Sequence, residues 1–393
     1  MDFDLSEEQQ AFRDTLHRFV DRAIKPVARE WEQSGRYPTE IVEEMKALGL
    51  FGITIPEADG GLGLTLVDLA VVFEEISRGW MGIAGILGSH TLASAMIARH
   101  GTPEQRQRYL PELATGARRT GIALTEAGAG SDLQGIQTRA WRDGEEWVIR
   151  GTKYWITNAR YADPLPVLVK TDPEAAPRHR GMSVFLVPSD SPGFTVQRDL
   201  PKLGYKGTES CEDVLDDVRV SADALLGGVE GRGMQQVLGA LQYGRINIAA
   251  RSVGVSQRAY EDALAYSQER HAFGQPISGF QAVQLKLADM ATDVQAARLL
   301  TWWAADTAQR KLDAAAAGGP PARTDVECGM AKLFASEVAL RTTLESMRIF
   351  GGAGYSTELE IERLYRDAPL LAIGEGTNDI LRGVIARGLL GEA

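Results

Sequence analysis

Residues 141–149, Trp-Arg-Asp-Gly-Glu-Glu-Trp-Val-Ile, decide the fold because they interrupt a chain that otherwise has the period of helices. An Asp-Gly pair between two apolar runs, here Asp143-Gly144, is typical of a β-hairpin. Short apolar runs bounded by Pro, Gly, Asp or Ser follow at 167–169, 184–187 and 194–196. A β-domain is therefore expected in the middle of the chain.

The segments on either side of this domain have helical spacing and helix-start signals. A capping box pairs a hydroxyl side chain with the residue three positions later. Such boxes are predicted at Ser6 with Gln9, Thr65 with Asp68, Thr102 with Gln105, and Thr324 with Glu327. Pro103 strengthens the third, and a Gly-Gly-Pro-Pro loop at 318–321 separates two long helical segments. We expect a helical domain at 1–117, a β-domain at 118–228 and a helical bundle at 229–393.

Composition excludes some functions. The 393 residues include 42 Lys and Arg against 53 Asp and Glu, for a net charge of −11, and no basic run could follow a phosphate backbone. Nucleic acid is not an expected partner, and the sequence predicts no metal site. Cys211 and Cys328 do not make a disulfide framework.

The N-terminal residues MDFDLSEEQQ have neither the pattern of a secretion signal nor that of a transit peptide, so a cytoplasmic location is expected. Residues 81–98 hold no acidic or basic side chain other than His90. They are slightly short for a membrane span, and we expect a buried core helix there.

One carboxylate is isolated near the C-terminus. In the sequence Ala-Ile-Gly-Glu-Gly-Thr-Asn-Asp-Ile at 372–380, Glu375 lies between two glycines and ahead of a helical segment that Thr377, Asn378 or Asp379 can cap. Taken alone, the stretch is more typical of a turn that connects two helices.

Two stretches of the β-domain are candidates for holding a cofactor. Residues 124–132, Leu-Thr-Glu-Ala-Gly-Ala-Gly-Ser-Asp, offer backbone N–H groups and hydroxyls suited to an anion. They match neither a dinucleotide-binding fingerprint nor a Walker motif. Residues 153–158 would place Trp155 and Thr157 on one face of a strand, where a flat ring could lie. An ordinary turn and an ordinary core strand are the alternatives.

Taken together and in order, these elements resemble the acyl-CoA dehydrogenase family over essentially the whole chain. The motifs that carry the resemblance are LSEEQ at 5–9, PEADGGLGL at 56–64, LTEAGAGSD at 124–132, KYWITN at 153–158, KLGYKGTES at 202–210, DDVRV at 216–220, QERHAFGQPI at 268–277, FGGAGY at 350–355 and GEGTNDI at 374–380. The resemblance implies an FAD enzyme of fatty acid β-oxidation type. It also implies an N-terminal helical domain, a middle β-barrel-like domain, a C-terminal four-helix bundle, and a homotetramer.

The resemblance also implies roles for single residues. Those expected at the flavin are Leu124, Thr125, Ser131, Trp155, Thr157, Thr377 and Asp379, and those expected to grip the adenine side of a neighbouring subunit's FAD are Arg270, Phe273, Gln281, Arg348, Gly351 and Gly352. The residues expected at the substrate are Ser131, Tyr243, Gly244, Arg245, Gly374 and Gly376.

Glu375 falls on the family's catalytic base. Relatives that carry the base elsewhere have it at a position that here is Gly244, which has no side chain to offer. The implied reaction converts an acyl-CoA thioester into trans-2-enoyl-CoA and passes electrons to electron-transfer flavoprotein. Arg245, next to Gly244, is expected to support the site, and a helix-surface salt bridge is its alternative.

Four positions depart from common family residues. Gly374 replaces a tyrosine, Gln242 an aspartate, and Arg348 a glutamine. Met81 lies where glutaryl-type members carry an arginine, so a dicarboxylyl-CoA is not expected. Two rival functions are a flavin oxidase or monooxygenase on the same fold, and a non-catalytic acyl-CoA-binding scaffold.

Overall fold

The computed structural model describes residues 4–319 and 323–391. Its first part is helical, with α1 at Glu7–Phe19, α2 at Ala28–Ser34, α3 at Thr39–Ala47, α4 at Leu66–Gly79, α5 at Met81–His100 and α6 at Pro103–Thr115. The capping boxes predicted at Ser6, Thr65 and Thr102 are confirmed, with both reciprocal hydrogen bonds present in each. These helices begin where a side chain satisfies their first free backbone N–H groups.

Helix α5 forms the buried centre of the molecule. It is long and apolar enough to cross a membrane by length and composition, but 89% of its most apolar window is buried inside the protein. The expectation of a core helix is met. Residues of α5 pack against the N-terminal helices, the β-domain and the C-terminal bundle.

The middle part is one six-stranded sheet. Its strands are β1 at Arg139–Asp143, β2 at Glu146–Ile156, β3 at Leu165–Lys170, β4 at Met182–Val187, β5 at Phe194–Asp199 and β6 at Cys211–Ser221, in the order β4-β3-β1-β2-β6-β5. The predicted hairpin is confirmed, since β1 and β2 pair with Asp143 opposite Glu146. Gly144 takes a φ of 66° in the connecting turn. Strands β4 and β5 are the two ends of this order.

The C-terminal part is a bundle of long helices. Helix α7 spans Gly233–Glu269, α8 Gln281–Ala316, α9 Asp325–Phe350, α10 Glu360–Ile373 and α11 Asn378–Leu390, and a two-stranded hairpin of β7 at His271–Ala272 and β8 at Gln275–Pro276 joins α7 to α8. Helix α9 packs against α7, α8, α10 and α11. The bundle therefore surrounds α9 with the segments that carry Gly244 and Glu375.

One helix start differs from its prediction. Thr324 precedes α9, but its ψ of 18° departs from the extended backbone of an N-cap and its side chain makes no capping hydrogen bond, while the Glu327 carboxylate pairs with Lys311 of α8 at 2.7 Å. The predicted capping box at Thr324 is wrong. Of the predicted loop at 318–321, Gly318 and Gly319 follow α8, whereas Pro320 and Pro321 lie outside the described residues. The domain boundaries at 117 and 228 stay predictions.

Candidate active site

Glu375 lies in the short connection between two helices. Helix α10 ends at Ile373, Gly374 follows it, and Thr377 caps α11 by accepting a hydrogen bond from the backbone N–H of Ile380 at 3.3 Å. Of the three candidates for this cap, Thr377 is therefore the one used. Glu375 has a φ of 55°, in the left-handed region where residues other than glycine are uncommon. Such a conformation persists only where surrounding contacts impose it.

Lys332 of α9 supplies those contacts. Its buried Nζ donates to the carbonyl of Ala372 at 3.2 Å, to that of Gly376 at 2.8 Å, and to the Asn378 Oδ1 at 2.9 Å. These acceptors lie on both sides of Glu375. Lys332 thus ties the connection to the centre of the bundle, a role that the sequence analysis missed because nothing in a lone lysine on a helix announces it.

Gly244 of α7 makes room for the carboxylate. A Cβ added at this position would lie 2.5 Å from the Glu375 Oε2 and 3.2 Å from the Leu92 Cδ1 of α5. A glycine inside a helix costs about 1 kcal/mol relative to alanine, so its presence here has a reason in packing. The carboxylate lies against the bare backbone of α7, at the position where some relatives of the resembled family carry their base.

Burial controls the electrostatics of Glu375. Desolvation raises the pKa of its carboxyl group, and the positive charges of Arg251, Arg245 and Lys332 oppose that rise in decreasing order. Burial in turn lowers the pKa of Lys332 to about 8, against the attraction of Glu375. A carboxylate with a raised pKa is a stronger base than one in water, and the nearby cations favour its charged form.

The other predicted substrate residues divide into two groups. Arg245 is buried and forms an ion pair with Asp325 at 2.6 Å. The salt bridge is therefore present, although not on the helix surface, and the supporting role of Arg245 stays a prediction. Gly374 and Gly376 flank Glu375, and a Cβ at Gly374 would meet no atom closer than 3.4 Å. Tyr243 instead packs against the apolar cores of the N-terminal half, one residue from Gly244 but on another face of α7.

The 124–132 loop is held by a buried ion pair. Glu126 accepts from the Lys153 Nζ at 2.9 Å and from the backbone N–H of Thr138 at 2.9 Å, and Lys153 also donates to the carbonyl of Leu124 at 3.0 Å. The N–H of Tyr154 donates to the carbonyl of Thr125 at 2.8 Å. The two predicted cofactor motifs thus meet, because Lys153 of one fixes Glu126 of the other. Leu124 is buried with Leu92, which places the loop beside α5.

Trp155 and Thr157 do not share a plain strand face as predicted. The pairing of β2 with β6 is irregular between Lys153 and Ile156, Trp155 has a φ of 65°, and the strand ends at Ile156. The indole is 55% exposed, whereas Thr157 is buried. The prediction of a regular strand is wrong because an irregularity breaks the alternation, and the same irregularity turns the indole outward. Next along the chain, Asn158 donates to the carbonyl of Ile86 in α5 at 2.8 Å.

The six residues predicted on the adenine side gather at one end of the bundle, where α7 ends, α8 begins and α9 ends. Tyr266 stacks on Phe350 with centroids 4.2 Å apart and joins these helix ends. Phe273 is 97% exposed at a φ of 50°. The residues concerned are all exposed: Arg270, Phe273, Gln281, Arg348, Gly351 and Gly352. Arg270 lies 26 residues beyond Gly244 on α7, about 39 Å along the helix, so this set and Glu375 are far apart within one chain.

Of the remaining predicted residues, Ser131 is exposed near the end of the 124–132 loop. Asp379 is also exposed and pairs with Arg382 at 3.1 Å.

Three family descriptions match this chain in succession: "Acyl-CoA dehydrogenase, N-terminal domain" over residues 6–117, "middle domain" over 121–218 and "C-terminal domain" over 231–390. The chain belongs to the acyl-CoA dehydrogenase family. Members of this family are FAD-dependent oxidoreductases, and this chain is an oxidoreductase of the same kind.

Named relatives cover nearly the whole chain. The probable acyl-CoA dehydrogenase YngJ of Bacillus subtilis is 41% identical over 99% of this chain and 100% of its own length. The (2S)-methylsuccinyl-CoA dehydrogenase of Cereibacter sphaeroides is 39% identical over 98% of this chain and 70% of its own. The human mitochondrial short-chain specific acyl-CoA dehydrogenase is 38% identical over 98% of this chain and 91% of its own.

Solved structures agree. A chain from the structure described as electron transferring flavoprotein of Acidaminococcus fermentans has a TM-score of 0.93 at 35% identity and covers 99% of this chain and 100% of that one. A glutaryl-coenzyme A dehydrogenase with glutaryl-CoA has a TM-score of 0.92 at 36% identity and covers 100% and 98%. A Mycobacterium smegmatis glutaryl-CoA dehydrogenase in complex with FADH2 has a TM-score of 0.90 at 31% identity and covers 99% and 96%.

The β-domain of this acyl-CoA dehydrogenase family member fits a flavin. The outward Trp155 indole offers a flat apolar surface, and a Cβ at Gly128 would meet nothing within 4 Å, so the backbone of the 124–132 loop is open to a ligand. Thr125 and Ser131 add hydroxyl groups to the same loop. These residues are the ones that would hold the isoalloxazine and ribityl part of FAD.

Proposed function

We propose that this protein removes the α-proton and a β-hydrogen of an acyl-CoA thioester to give trans-2-enoyl-CoA, with Glu375 as the base. The observation that carries the proposal is the placement of one desolvated carboxylate in a left-handed turn against the bare backbone of Gly244. A turn with only a structural role would not require a strained, partly buried acid.

The chemistry needs such a carboxylate. A C–H bond next to a thioester is a weak acid, and a base whose pKa is raised by desolvation is better matched to it. Lys332 holds the backbone on both sides of Glu375, which fixes the direction of the carboxylate before substrate arrives. Bound FAD supplies the acceptor for the hydride that leaves the β-carbon. Glu375 keeps the α-proton until product departs.

The exposed residues at the far end of the bundle support a further proposal, that the protein functions as an oligomer such as a tetramer. About 39 Å of α7 separates them from Glu375, and an apolar ring as exposed as that of Phe273 is suited to a partner's surface. We propose that the residues predicted on the adenine side in one subunit bind the FAD of another subunit. The structural likeness to a chain described with electron transferring flavoprotein supports such a flavoprotein as the electron acceptor.

The names of the relatives present two substrate classes. One is a short acyl group that ends in a methyl, and the other is an acyl group with a second carboxylate, as in methylsuccinyl-CoA and glutaryl-CoA. Both undergo the same α,β-dehydrogenation, so the proposed reaction does not depend on the choice.

Anaerobic mixing of the FAD-loaded protein with a panel of acyl-CoAs tests the reaction. We expect bleaching of the flavin absorbance and formation of the 2-enoyl-CoA with at least one acyl group. Failure to bleach with every member of the panel would refute the proposal. Oxygen consumption in air, matched to enoyl-CoA formed without an added acceptor, would instead indicate an oxidase.

A further inference from the structure

Arg251 of α7 is a buried cation without a carboxylate partner. It is 4% exposed, and among residues 4–319 and 323–391 it forms no ion pair. Its one hydrogen bond within the described part of the chain is long, from Nη2 to the carbonyl of Met81 at 3.4 Å, and its guanidinium lies 5.0 Å from the centroid of the Tyr205 ring. The Nε finds no hydrogen-bond partner among the described residues. An isolated buried charge is costly, so an unpaired guanidinium calls for an anion.

The position of Arg251 points toward Glu375. Gly244, which contacts the Glu375 carboxylate, and Arg251 are seven residues apart, so they lie on nearly the same face of α7, about 10.5 Å apart along its axis. Because Cα–Cβ bonds tilt toward the N-terminus of a helix, the Arg251 side chain leans back toward Gly244. Arg251 is also the cation that most strongly opposes the raised pKa of Glu375.

Asn247 lies between these two positions on α7. It is 4% exposed, its Oδ1 has no hydrogen-bond partner among the described residues, and its amide occupies the space where a side chain at Gly88 of α5 would lie. Along the contact between α5 and α7, Glu375 is therefore followed first by the unpaired amide oxygen of Asn247 and then by the guanidinium of Arg251. An acyl chain ending in a methyl would leave the Arg251 guanidinium unsatisfied, because only an acceptor can pair with its N–H donors.

The charges around Glu375 add to this argument. Among the charged groups that the structure describes, Arg245 is paired with Asp325, and Glu337 with Arg382, which leaves Arg251 and Lys332 opposite the single carboxylate of Glu375. Lys332 is occupied by two carbonyls and an amide oxygen. One positive charge is therefore in surplus, at Arg251.

We infer that the acyl group of the substrate ends in a second carboxylate, which binds Arg251, so that the substrate is a short dicarboxylyl-CoA. This inference rests on the proposed dehydrogenation at Glu375. The α-proton goes to Glu375 and the β-hydride to bound FAD, while the distal carboxylate stays on the product as a 2-enedioyl-CoA. The side chain of Met81 carries no charge, but the backbone carbonyl of Met81 accepts the long hydrogen bond from Arg251.

The test compares substrates of equal carbon number with the FAD-loaded enzyme. Glutaryl-CoA is set against valeryl-CoA and adipyl-CoA against hexanoyl-CoA, and kcat/KM is measured for the native protein, Arg251→Gln and Arg251→Lys. The control is Arg258→Gln, which removes another buried arginine of α7 that pairs with Asp262 at 2.8 Å. FAD content and thermal unfolding establish that each variant is folded.

The native enzyme should prefer the dicarboxylyl member of each pair. Arg251→Gln should lower the ratio of kcat/KM between dicarboxylyl and methyl-ended substrates at least about 30-fold, because it removes one partner of a buried charge pair. Arg251→Lys should restore part of that ratio, and Arg258→Gln should leave it near the native value.

Preference of the native enzyme for valeryl- and hexanoyl-CoA, with a ratio that Arg251→Gln does not change, would overturn this inference and leave the proposed dehydrogenation intact. If no member of either pair bleaches the flavin, the proposed function itself fails. Should Arg251→Gln not fold, the Arg251→Lys ratio decides, because a carboxylate bound by this side chain must respond to the change of cation.

Discussion

Glu375 has a strained conformation and a raised pKa at the same residue. A φ of 55° is unfavourable for a side chain with a Cβ, and desolvation is unfavourable for its charge. Gly376, at a φ of 93°, lets the chain turn directly into α11. The unfavourable backbone conformation and the unfavourable desolvation thus occur at the same residue. This combination is typical of residues with a chemical role rather than a stabilising one.

Replacing Glu375 with Gln should leave the fold and the bound flavin but slow flavin reduction by acyl-CoA at least about 10²–10⁴-fold, because the amide cannot accept the α-proton. Stopped-flow bleaching measures the rate. A variant that is reduced at nearly the native rate would remove Glu375 as the base.

A second variant uses the contact between positions 375 and 244 as a control for that result. The pair Glu375→Gly with Gly244→Glu places a carboxylate on α7 in the space that the Glu375 side chain vacates, since a Cβ at 244 points at its Oε2. Partial recovery of bleaching over Glu375→Gly alone is expected. Absence of any recovery in a folded, FAD-loaded double variant would show that a carboxylate from α7 does not reach the α-carbon.

At the scale of elements, α9 positions the connection that carries Glu375, and α7 provides the surface that this connection contacts. The connection between α10 and α11 has few residues with which to fix its own backbone, so it depends on Lys332 for that restraint. The Asn378 amide extends the same network to Ser336 at 3.0 Å. The candidate active site is therefore built on helices, with a loop that contributes the Glu375 side chain.

Lys332→Met should lower kcat and move the acid limb of its pH profile. The change leaves buried carbonyls unsatisfied, at a cost of about 1–3 kcal/mol for each group. It also removes a positive charge that favours ionised Glu375, so the pKa of Glu375 rises further and the pH of half-maximal kcat moves upward. The pH dependence of kcat and a thermal melt measure the two effects.

The matched control is Lys332→Arg, which keeps the charge that acts on Glu375. Its acid limb should stay near the native position even if the altered donor geometry lowers kcat. A Lys332→Met enzyme that is merely less stable, with an unchanged acid limb, would reduce Lys332 to a structural residue.

At the scale of the molecule, two groups of candidate cofactor residues lie at separated places on one chain. The 124–132 loop and Trp155 lie near α5, whereas Arg270 and Phe273 lie at the distant end of the bundle. An assembly that brings the end of one bundle to the flavin loop of another would join the two groups.

Arg270→Ala should therefore weaken FAD retention and assembly together. Sedimentation and the ratio of flavin to protein absorbance after gel filtration provide the measurements. Arg310→Ala serves as control, because Arg310 is an exposed arginine in the last two turns of α8, away from the end at Gln281. A native protein that is monomeric and still retains FAD would contradict the proposed sharing.

Several features were determined by the sequence alone because they depend on neighbours within a few residues. The hairpin at Asp143-Gly144 and the capping boxes at Ser6, Thr65 and Thr102 use side chains and backbone groups at most three positions apart. The alternation of helical and strand periods likewise predicted the order of the three regions. The motifs, read together, predicted the family and its cofactor.

Other features were decided only by the tertiary structure, because they depend on groups far apart in the chain. Glu126 and Lys153 meet across 27 residues, Lys332 and Gly376 across 44, and Arg251 and Met81 across 170. Trp155 turns outward because β2 loses its register with β6, which the sequence of β2 does not encode by itself. The sequence comparison looked for a substrate-binding cation at position 81, where this chain has Met81. The cation that we propose, Arg251, lies on α7, and only the packing of α5 on α7 brings it close to Met81.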